Sequence, residues 1–278
     1  RNLSTLHVAS TVVVGFGSEE IMTKFGSSTT FLGKSSTKNR IKLAYAFQTE
    51  QLGTGHAVLQ AEKFVGTEKR FLLLMGDDLY SSKDIKKCLR HGSCILAKRV
   101  ENVSSFGKVV AEKGALKGLL EKPDEKGSGL ANTGCYVLPN SVFQLLRKLR
   151  KSDRGEYEIT DAITELTKTQ KVAVEEAGFW QPITYPWSLL EANELLLRQR
   201  EKNKRQIAAP AKIEKYATLK GFVDVGKNSL IRNGAYIEGP VVIGDDCVIG
   251  PNCFIRPYTA IGSRCKIGNA VEVKNSII

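Results

Sequence analysis

Residues 241–262 read VVIGDDCVIGPNCFIRPYTAIG, and an aliphatic side chain returns in this stretch at every sixth position. The same period continues without a slip through Ile213, Leu219, Val225, Ile231, Ile237, Ile243, Ile249, Ile255, Ile261, Ile267 and Val273. A period of six drifts around a helix of about 3.6 residues per turn, so the pattern excludes a helical face. It predicts short parallel strands separated by tight turns, with one inward aliphatic residue per strand.

This repeat resembles the hexapeptide-repeat left-handed β-helix, a three-sided prism with three hexapeptides in each coil. Cys247 and Cys265 lie 18 positions apart. One coil should therefore separate them and stack them at about the 4.8 Å spacing of neighbouring strands. Ordinary ladder packing is the expected role of these cysteines, because no CxxC pair or histidine cluster suggests a zinc site.

The composition bounds the class of protein. A chain of 278 residues has room for about two domains. Hydrophobic residues make up 42% and charged residues 25%, which excludes wholesale disorder. The net charge of +12 favours anionic partners, and phosphorylated small molecules qualify. No apolar run approaches the ~20 residues of a membrane helix, so we expect no membrane partner. The six cysteines are expected to be reduced and mostly buried, as in a cytoplasmic protein.

Helical and strand patterns alternate before residue 205, which indicates an α/β domain. The apolar run Arg70–Met75 predicts a central parallel strand buried on both faces. A long helix is expected over Leu189–Lys204, and Ala208-Ala209-Pro210 breaks it. These patterns predict two domains, residues 1–205 and 206–278.

The stretch Gln48–Ala57 (QTEQLGTGHA) is the most informative part of the first domain. Gly53 and Gly55 let the backbone approach a flat or phosphorylated ligand, while Gln48 and Gln51 offer amide groups to it. The helix that follows turns its N-terminus toward the loop, which favours an anion. A plain strand-to-helix turn is the alternative interpretation.

A second candidate site lies in Leu74–Asp78 (LMGDD). A carboxylate directly after a buried strand falls at the sheet edge where open α/β sheets bind ligands. Asp77 is therefore a candidate to hold Mg²⁺ against phosphate oxygens. The alternative is that Asp77 or Asp78 caps the next helix.

In order, these motifs resemble the sugar-1-phosphate nucleotidyltransferase family, in its bifunctional form with a C-terminal β-helix. Gln48–Ala57 is similar to the family's loop for the nucleobase and sugar, and Gly76-Asp77 to its metal-bearing strand end. The match continues through Phe106-Gly107-Lys108, Glu121-Lys122-Pro123, Asn132-Thr133-Gly134, Gly155–Asp161 (GEYEITD) and Pro186–Asn193 (PWSLLEAN). The resemblance implies a Rossmann-like domain with a mixed or parallel sheet, followed by a left-handed parallel β-helix.

The resemblance also implies a reaction, the transfer of a nucleotidyl group from UTP or dTTP to a sugar-1-phosphate. Glucose-1-phosphate and N-acetylglucosamine-1-phosphate are the implied acceptors, and a nucleotide sugar and pyrophosphate the products. Mg²⁺ would be held by Asp77, and Lys122 would help electrostatically beside the sugar phosphate. The implied substrate-binding residues are Gln48, Gln51, Gly53, Thr54, Gly107, Glu121 and Asn132. Homotrimers through the β-helix are a further implication.

The sequence departs from the family pattern in three places that bear on activity, one of which is Ser188, where the family often has Asp. The family begins with a strand and a glycine-rich phosphate loop, whereas this sequence begins at about the third element of the domain. The family also places a metal-binding Asp or Asn shortly before the linking helix, where Pro182 stands here. Proline has no ligating side chain, so we expect residues 1–278 by themselves to transfer nucleotidyl groups weakly or not at all.

Two other functions stay open on the sequence. Pro182 and the absent loop suit a non-catalytic regulatory homologue that binds a nucleotide sugar without turnover. Acyl transfer by a longer β-helix is the other, although no histidine follows His91 to serve as general base. Nucleic-acid binding is not expected, because the densest basic run, Arg198–Arg205, lacks interleaved aromatic residues.

Overall fold

The computed structural model describes residues 10–26, 28–32, 38–120 and 127–278. They fall into two compact units, the first ending at Gln181 and the second spanning Pro182–Ile278. The predicted domain boundary at 205/206 differs from this division and stays a prediction about functional domains. No helix among the residues described is long and apolar enough to cross a membrane.

The first unit alternates strands and helices. Its elements are β1 (Ser10–Val14), α1 (Ser18–Phe25), β2 (Ser28–Leu32), β3 (Lys38–Phe47), α2 (Thr54–Gln60), α3 (Glu62–Val65), β4 (Arg70–Leu73), β5 (Asp78–Tyr80), α4 (Ser82–Cys88), β6 (Cys94–Val100), β7 (Lys108–Glu112), β8 (Ala115–Leu120), β9 (Gly129–Pro139), α5 (Val142–Leu146), α6 (Ile159–Leu166), β10 (Ala173–Glu176) and β11 (Trp180–Pro182).

Three sheets organise these strands. A six-stranded sheet has the strand order β4-β9-β6-β10-β8-β7. In it β10 runs parallel to β6, and β9 runs antiparallel to β6. β1 pairs parallel with β3, which pairs antiparallel with β2. β5 and β11 form a two-stranded ladder. The sheets are therefore mixed, as the resemblance implied.

Helices cover both faces of the six-stranded sheet. Successive residues of β6 and β9 point to opposite faces, as in any strand. Ile95 and Tyr136 face the core that holds α5 and α6, while Cys94 and Cys135 face the core that holds Cys88 of α4. These two cores explain why β6 and β9 read as nearly continuous apolar runs.

The prediction of a central parallel strand at Arg70–Met75 is wrong. β4 covers Arg70–Leu73 and pairs antiparallel with β9. Among the described residues it is an edge strand of the six-stranded sheet. Its apolar residues are half-buried, and Phe71 stacks on Phe143 of α5 with ring centroids 5.3 Å apart. The run is apolar because its side chains pack against a helix, and this does not depend on whether the strand is parallel or antiparallel to its neighbour.

The second unit begins with one helix and continues as a prism. α7 spans Ser188–Arg198, so the predicted helix to Lys204 ends six residues early. The last buried apolar side chain of α7 is Leu197, and the charged run beyond it offers no further face to bury. Asn193 of α7 donates a hydrogen bond from Nδ2 to the carbonyl oxygen of Tyr258, at 2.7 Å.

Twelve short strands form the prism, and each pairs in parallel with a strand one coil away. They are β12 (Gln206–Ile207), β13 (Lys212–Ile213), β14 (Thr218–Lys220), β15 (Val223–Val225), β16 (Leu230–Ile231), β17 (Tyr236–Glu238), β18 (Val241–Ile243), β19 (Val248–Ile249), β20 (Phe254–Ile255), β21 (Thr259–Ile261), β22 (Lys266–Ile267) and β23 (Glu272–Val273). Three four-stranded sheets result, with registers 18 residues apart, as between Ile213 and Ile231.

The predicted aliphatic ladder fills the prism. Ile231, Ile237, Ile249 and Ile255 are fully buried in one continuous core. Cys247 and Cys265 occupy successive coils, because their neighbours Val248 and Lys266 are register partners. Both thiols are free. The hexapeptide β-helix predicted from the repeat is confirmed.

Candidate active site

The turn between β4 and β5 carries the two adjacent aspartates. Asp77 is exposed, and no hydrogen bond or ion pair of its carboxylate occurs with the residues that the structure describes. Ser81, not an aspartate, caps α4, with its hydroxyl accepting a hydrogen bond from the backbone N–H of Lys83. The helix-cap alternative is therefore wrong for both aspartates, and Asp77 is left available to a ligand.

Asp78, by contrast, is held by its neighbours. Its Oδ2 accepts hydrogen bonds from Nε1 of Trp180 at 2.8 Å and from the hydroxyl of Tyr80 at 3.2 Å. The Tyr80 hydroxyl also donates to the carbonyl oxygen of Thr133 at 2.7 Å. Burial, and next the charge of Asp78, raise the pKa of Tyr80, so this hydroxyl keeps its proton.

The same network reaches the predicted sugar-binding segments. The ring of Phe106 meets that of Trp180 edge to face, with centroids 5.2 Å apart. The next residue, Gly107, accepts a hydrogen bond at its carbonyl oxygen from the backbone N–H of Asn132, at 2.7 Å. The structure thus brings Gly107 and Asn132 together and links them to the Asp77–Asp78 turn through Trp180.

The Asn132 side chain is fixed by its own strand. Its Nδ2 donates to the hydroxyl of Tyr136 at 2.7 Å, and its Oδ1 accepts from the backbone N–H of Gly134 at 3.1 Å. Gly134 has φ +71°, and a Cβ there would lie 2.4 Å from Cγ of Met75. Glycine is therefore required where β9 passes the segment that leads to Asp77.

A buried carboxylate anchors the chain just before Trp180. Asp84 of α4 is almost fully buried, and its Oδ2 accepts from the backbone N–H groups of Gly178 at 2.9 Å and Phe179 at 3.1 Å. Lys87 lies 2.9 Å from its other oxygen. Burial alone would raise the pKa of Asp84, but these hydrogen bonds, that of Lys87 first, hold it below its ordinary value.

The loop Gln48–Ala57 forms a second group of site residues. Nε2 of Gln48 donates to the carbonyl oxygen of Gly53 at 3.0 Å and lies 3.1 Å from Nδ1 of His56. The backbone N–H of Gln48 bonds to the carbonyl oxygen of Val14 at 2.8 Å, which ties the loop to the end of β1. Gln48 and Gly53 are thus brought together, whereas Gln51 is an exposed neighbour of Gly15.

Close backbone contact explains the glycines of this loop. Gly53 has φ +102°, and a Cβ there would lie 2.7 Å from the carbonyl oxygen of Tyr157. Gly55 donates its N–H to that oxygen at 2.7 Å. The hydroxyl of Thr54 accepts from the backbone N–H of Ile159 at 3.1 Å, at the start of α6. Thr54 is therefore engaged in positioning the loop against the GEYEITD segment.

Two predicted site residues lie outside the described residues: Glu121 and Lys122. The sequence interpretation, in turn, missed Trp180, Tyr80 and Asp84, which organise the Asp77 turn. The sequence offered one signal for Trp180: tryptophan is scarce, since the chain has only two of them. Nothing in the local pattern, however, pairs Trp180 with an aspartate 102 positions earlier.

The residues present fit a magnesium ion in a limited sense. Mg²⁺ is usually bound by one or two carboxylates together with substrate phosphates and water, rather than by a cage of protein ligands. Asp77 supplies one exposed carboxylate of this kind. Among the parts of the chain described, no group of three or more His, Cys, Asp or Glu residues could hold a metal ion. Any such ion would thus depend on the substrate for most of its ligands.

Comparison with known proteins was informative for both units. The family model described as nucleotidyl transferase matches residues 11–199. The model described as bacterial transferase hexapeptide, with six repeats, matches residues 240–275. The first match spans the Gln48 loop, the Asp77 turn and the Gly107–Asn132 pair.

Two curated relatives carry the word bifunctional in their names. The bifunctional protein GlmU of Methanococcus maripaludis is 35% identical over 225 residues, which are 80% of this chain and 50% of that protein. The bifunctional sugar-1-phosphate nucleotidylyltransferase/acetyltransferase of Sulfurisphaera tokodaii is 36% identical over 189 residues, 66% of this chain and 45% of that protein. The chain therefore spans about half the length of the curated relatives it matches.

A solved structure also resembles the chain. The crystal structure of a putative glucose-1-phosphate thymidylyltransferase from Bacillus anthracis matches with a TM-score of 0.58 and 25% sequence identity. The match covers 70% of this chain and 78% of that one. It agrees with the mixed α/β sheet found in the first unit.

Proposed function

The chain belongs to the nucleotidyl transferase family, and on this premise we propose that it transfers a nucleotidyl group from UTP or dTTP to a sugar-1-phosphate. One observation carries the proposal most directly. Of the two aspartates at the sheet edge, Asp78 is held by Trp180 and Tyr80, whereas Asp77 is exposed and faces no intramolecular partner among the described residues.

In this reaction a phosphate oxygen of the sugar-1-phosphate attacks the α-phosphorus of the triphosphate. A new P–O bond forms, the bond between the α-phosphorus and its bridging oxygen breaks, and pyrophosphate leaves with that oxygen. The protein supplies little covalent chemistry, and its part is alignment and charge stabilisation. The hydrogen-bonded pair Gly107–Asn132 supports a sugar-binding role, and the loop from Gln48 to Thr54 supports binding of the base.

Glu121 and Lys122 enter the proposal on resemblance alone. Glu121 is assigned to the sugar and Lys122 to the sugar phosphate. Asp77 is assigned to Mg²⁺, with Pro182 contributing no side-chain ligand. The ion, when bound, would neutralise charge on the phosphate oxygens.

We also propose an oligomeric state and a location for the protein. The hexapeptide prism is the kind of domain through which homotrimers form, and we assign the protein a homo-oligomeric state, with three copies as the specific form. A biosynthetic enzyme that uses nucleoside triphosphates has its substrates in the cytoplasm, and we place it there. Analytical ultracentrifugation of the 278-residue chain tests the trimer.

Pyrophosphate release tests the proposed reaction. We expect the purified 278-residue chain to release pyrophosphate slowly but measurably from UTP or dTTP with glucose-1-phosphate or N-acetylglucosamine-1-phosphate in the presence of Mg²⁺, because Pro182 supplies no second side-chain ligand for the ion. Asp77→Asn should lower kcat/KM by about 10²-fold or more, because the carboxylate is lost and the shape is kept. Its Tm should not change, since Asp77 is exposed.

Asp153→Asn, at an exposed loop position outside the site, is the matched control and should keep wild-type activity. A chain that binds a nucleotide sugar without releasing pyrophosphate would instead support the non-catalytic homologue. Equal activity of the Asp77→Asn and Asp153→Asn variants would remove Asp77 from the site.

A further inference from the structure

Trp180 lies where three segments of the candidate site meet. Its Nε1 donates to Asp78, the neighbour of Asp77, at 2.8 Å. Its ring edge packs on Phe106, the neighbour of Gly107, with centroids 5.2 Å apart. Asp78 is in turn bonded to Tyr80, whose hydroxyl reaches the backbone of Thr133, the neighbour of Asn132. Trp180 therefore joins the neighbours of Asp77 and Gly107 directly, and Tyr80 links the same aspartate to the neighbour of Asn132.

We propose that Trp180 is a positioning residue for nucleotidyl transfer. Its indole N–H fixes the Asp78 carboxylate, and the fixed turn presents Asp77 to the metal and phosphates at a set distance from Gly107. The inference rests on the proposed function and deepens it by naming the residue that holds the charge-bearing turn relative to the sugar-binding segment.

The hydrogen bond, rather than packing alone, carries the positioning. The Asp78 carboxylate is half-buried, and a buried or half-buried charge requires donors. Tyr80 has a single hydroxyl proton, and its 2.7 Å contact with the Thr133 carbonyl is shorter than its 3.2 Å contact with Asp78. Trp180, at 2.8 Å, is therefore a stronger donor to Asp78 than Tyr80 is.

The backbone and the ring of Trp180 are both fixed by neighbouring residues. Gly178 and Phe179, the two residues that precede Trp180, donate their backbone N–H groups to the Asp84 carboxylate. Leu72 and Leu74, on either side of the end of β4, belong with Trp180 to the apolar cluster around α4. The indole thus projects from a fixed backbone, which a positioning residue requires.

Trp180→Phe removes the N–H and keeps a ring against Phe106. We expect kcat to fall by about tenfold or more, because small misplacements of catalytic groups are costly. The Mg²⁺ concentration for half-maximal rate should rise severalfold. KM for the nucleoside triphosphate should stay within about twofold, since Gln48 and Gly53 belong to a separate hydrogen-bonded group.

Two control variants separate positioning from stability. Ile85→Val trims a fully buried side chain of the same apolar cluster and should lower Tm without changing the kinetics. Trp187→Phe alters the other tryptophan, which is largely exposed and stacked on Tyr185, and should change neither. Asp78→Asn weakens the same hydrogen bond, so the double variant with Trp180→Phe should lose little more than either single variant.

A binding measurement gives a readout independent of turnover. Electron paramagnetic resonance of Mn²⁺, with a non-hydrolysable UTP analogue present, reports the affinity of the wild type and of Trp180→Phe for the ion. We expect the Trp180→Phe variant to bind Mn²⁺ severalfold more weakly, while Ile85→Val binds it like the wild type.

Each result decides the inference. An active wild type together with unchanged kcat, Mg²⁺ dependence and Mn²⁺ affinity in Trp180→Phe overturns the positioning role alone. The same kinetic loss in Ile85→Val would show that the effect is one of stability and would also overturn it. A wild-type chain that releases no pyrophosphate overturns the proposed function, and this inference with it.

Discussion

The candidate site and the prism join residues over very different distances in the chain. In the prism, strand partners are 18 positions apart in coil after coil, as Leu230 is from Val248 and Val248 from Lys266. In the site, Asp78 meets Trp180 across 102 positions, and Thr54 meets Ile159 across 105. A repeat repeats its contacts, so one hexapeptide predicts the next, whereas each contact of the site occurs once.

The prism and the candidate site are held together by different kinds of interaction. Every prism coil buries the same kind of aliphatic side chain, and its contacts are with the adjacent coils. The site depends on single polar side chains, such as Asp84 and Asp78, each of which accepts its own set of hydrogen bonds. We expect a change in the prism to act through close packing, and a change in the site framework to act through one hydrogen bond.

The largest expected effect tests close packing in the prism. A Cβ at Gly239 would lie 1.9 Å from the backbone carbonyl oxygen of Phe222, one coil away. Gly239→Ala should therefore lower the free energy of unfolding by about 3 kcal/mol or more, because backbone must move. Urea denaturation followed by far-ultraviolet circular dichroism measures it.

Gly268→Ala is the matched control in the same prism. A Cβ at this position would lie 4.0 Å from Cγ2 of Val271, an ordinary van der Waals contact. The free energy of unfolding should change by less than about 1 kcal/mol. If Gly239→Ala and Gly268→Ala lowered the free energy of unfolding equally, the loss would come from replacing glycine and not from the close approach of neighbouring coils.

The next effect tests the single polar anchor of the site framework. Asp84→Asn should lower the free energy of unfolding by about 2 kcal/mol at neutral pH, because a charged acceptor of three hydrogen bonds is lost. The pKa of Asp84 in the folded protein is below its ordinary value. Its stabilisation is therefore complete above the unfolded-state pKa and disappears as pH falls through the folded-state pKa.

The pH dependence is the distinguishing measurement for Asp84. The difference in unfolding free energy between wild type and Asp84→Asn should be constant above about pH 5 and should shrink below about pH 4. A difference that grows toward acid pH would mean that burial dominates and that the folded-state pKa is raised. Asp153→Asn, exposed on a loop, should show neither effect.

The smallest effect tests whether prism positions are interchangeable. Ile249→Val and Ile255→Val each remove one methylene-sized group from a fully buried ladder position. Each should cost about 1 kcal/mol, and the two costs should agree within about 0.5 kcal/mol. A difference of more than about 1 kcal/mol between them would show that coils are not equivalent and would weaken the comparison.

Much of the first unit could be predicted, but not its strand order. The alternation of strands and helices predicted before residue 205 is present from β1 and α1 onward. The run at Arg70–Met75 gave the right element and the wrong neighbours, since an apolar strand of four residues fits several places in a sheet. Pairing is decided by contacts across the whole unit.

For the candidate site, the motifs located Asp77, Gln48 and Asn132 but not what holds them. Glycine signalled the close approach of Gly53 to Tyr157, because few other residues permit it. The scarcity of tryptophan was the only signal for Trp180, and no local pattern marked Asp84. Their roles follow from which side chains the fold places beside them.

The sequence by itself determined the hexapeptide prism, its 18-residue coil and the order of the family motifs. A repeat specifies neighbours at a fixed offset, and a motif specifies chemistry within a few residues. Only the tertiary structure decided that Asp78 is held while Asp77 is exposed, and that Trp180 joins the aspartate turn to Phe106. The physical reason is that these contacts join segments 102 and 74 positions apart in the chain, which only the packed fold brings together.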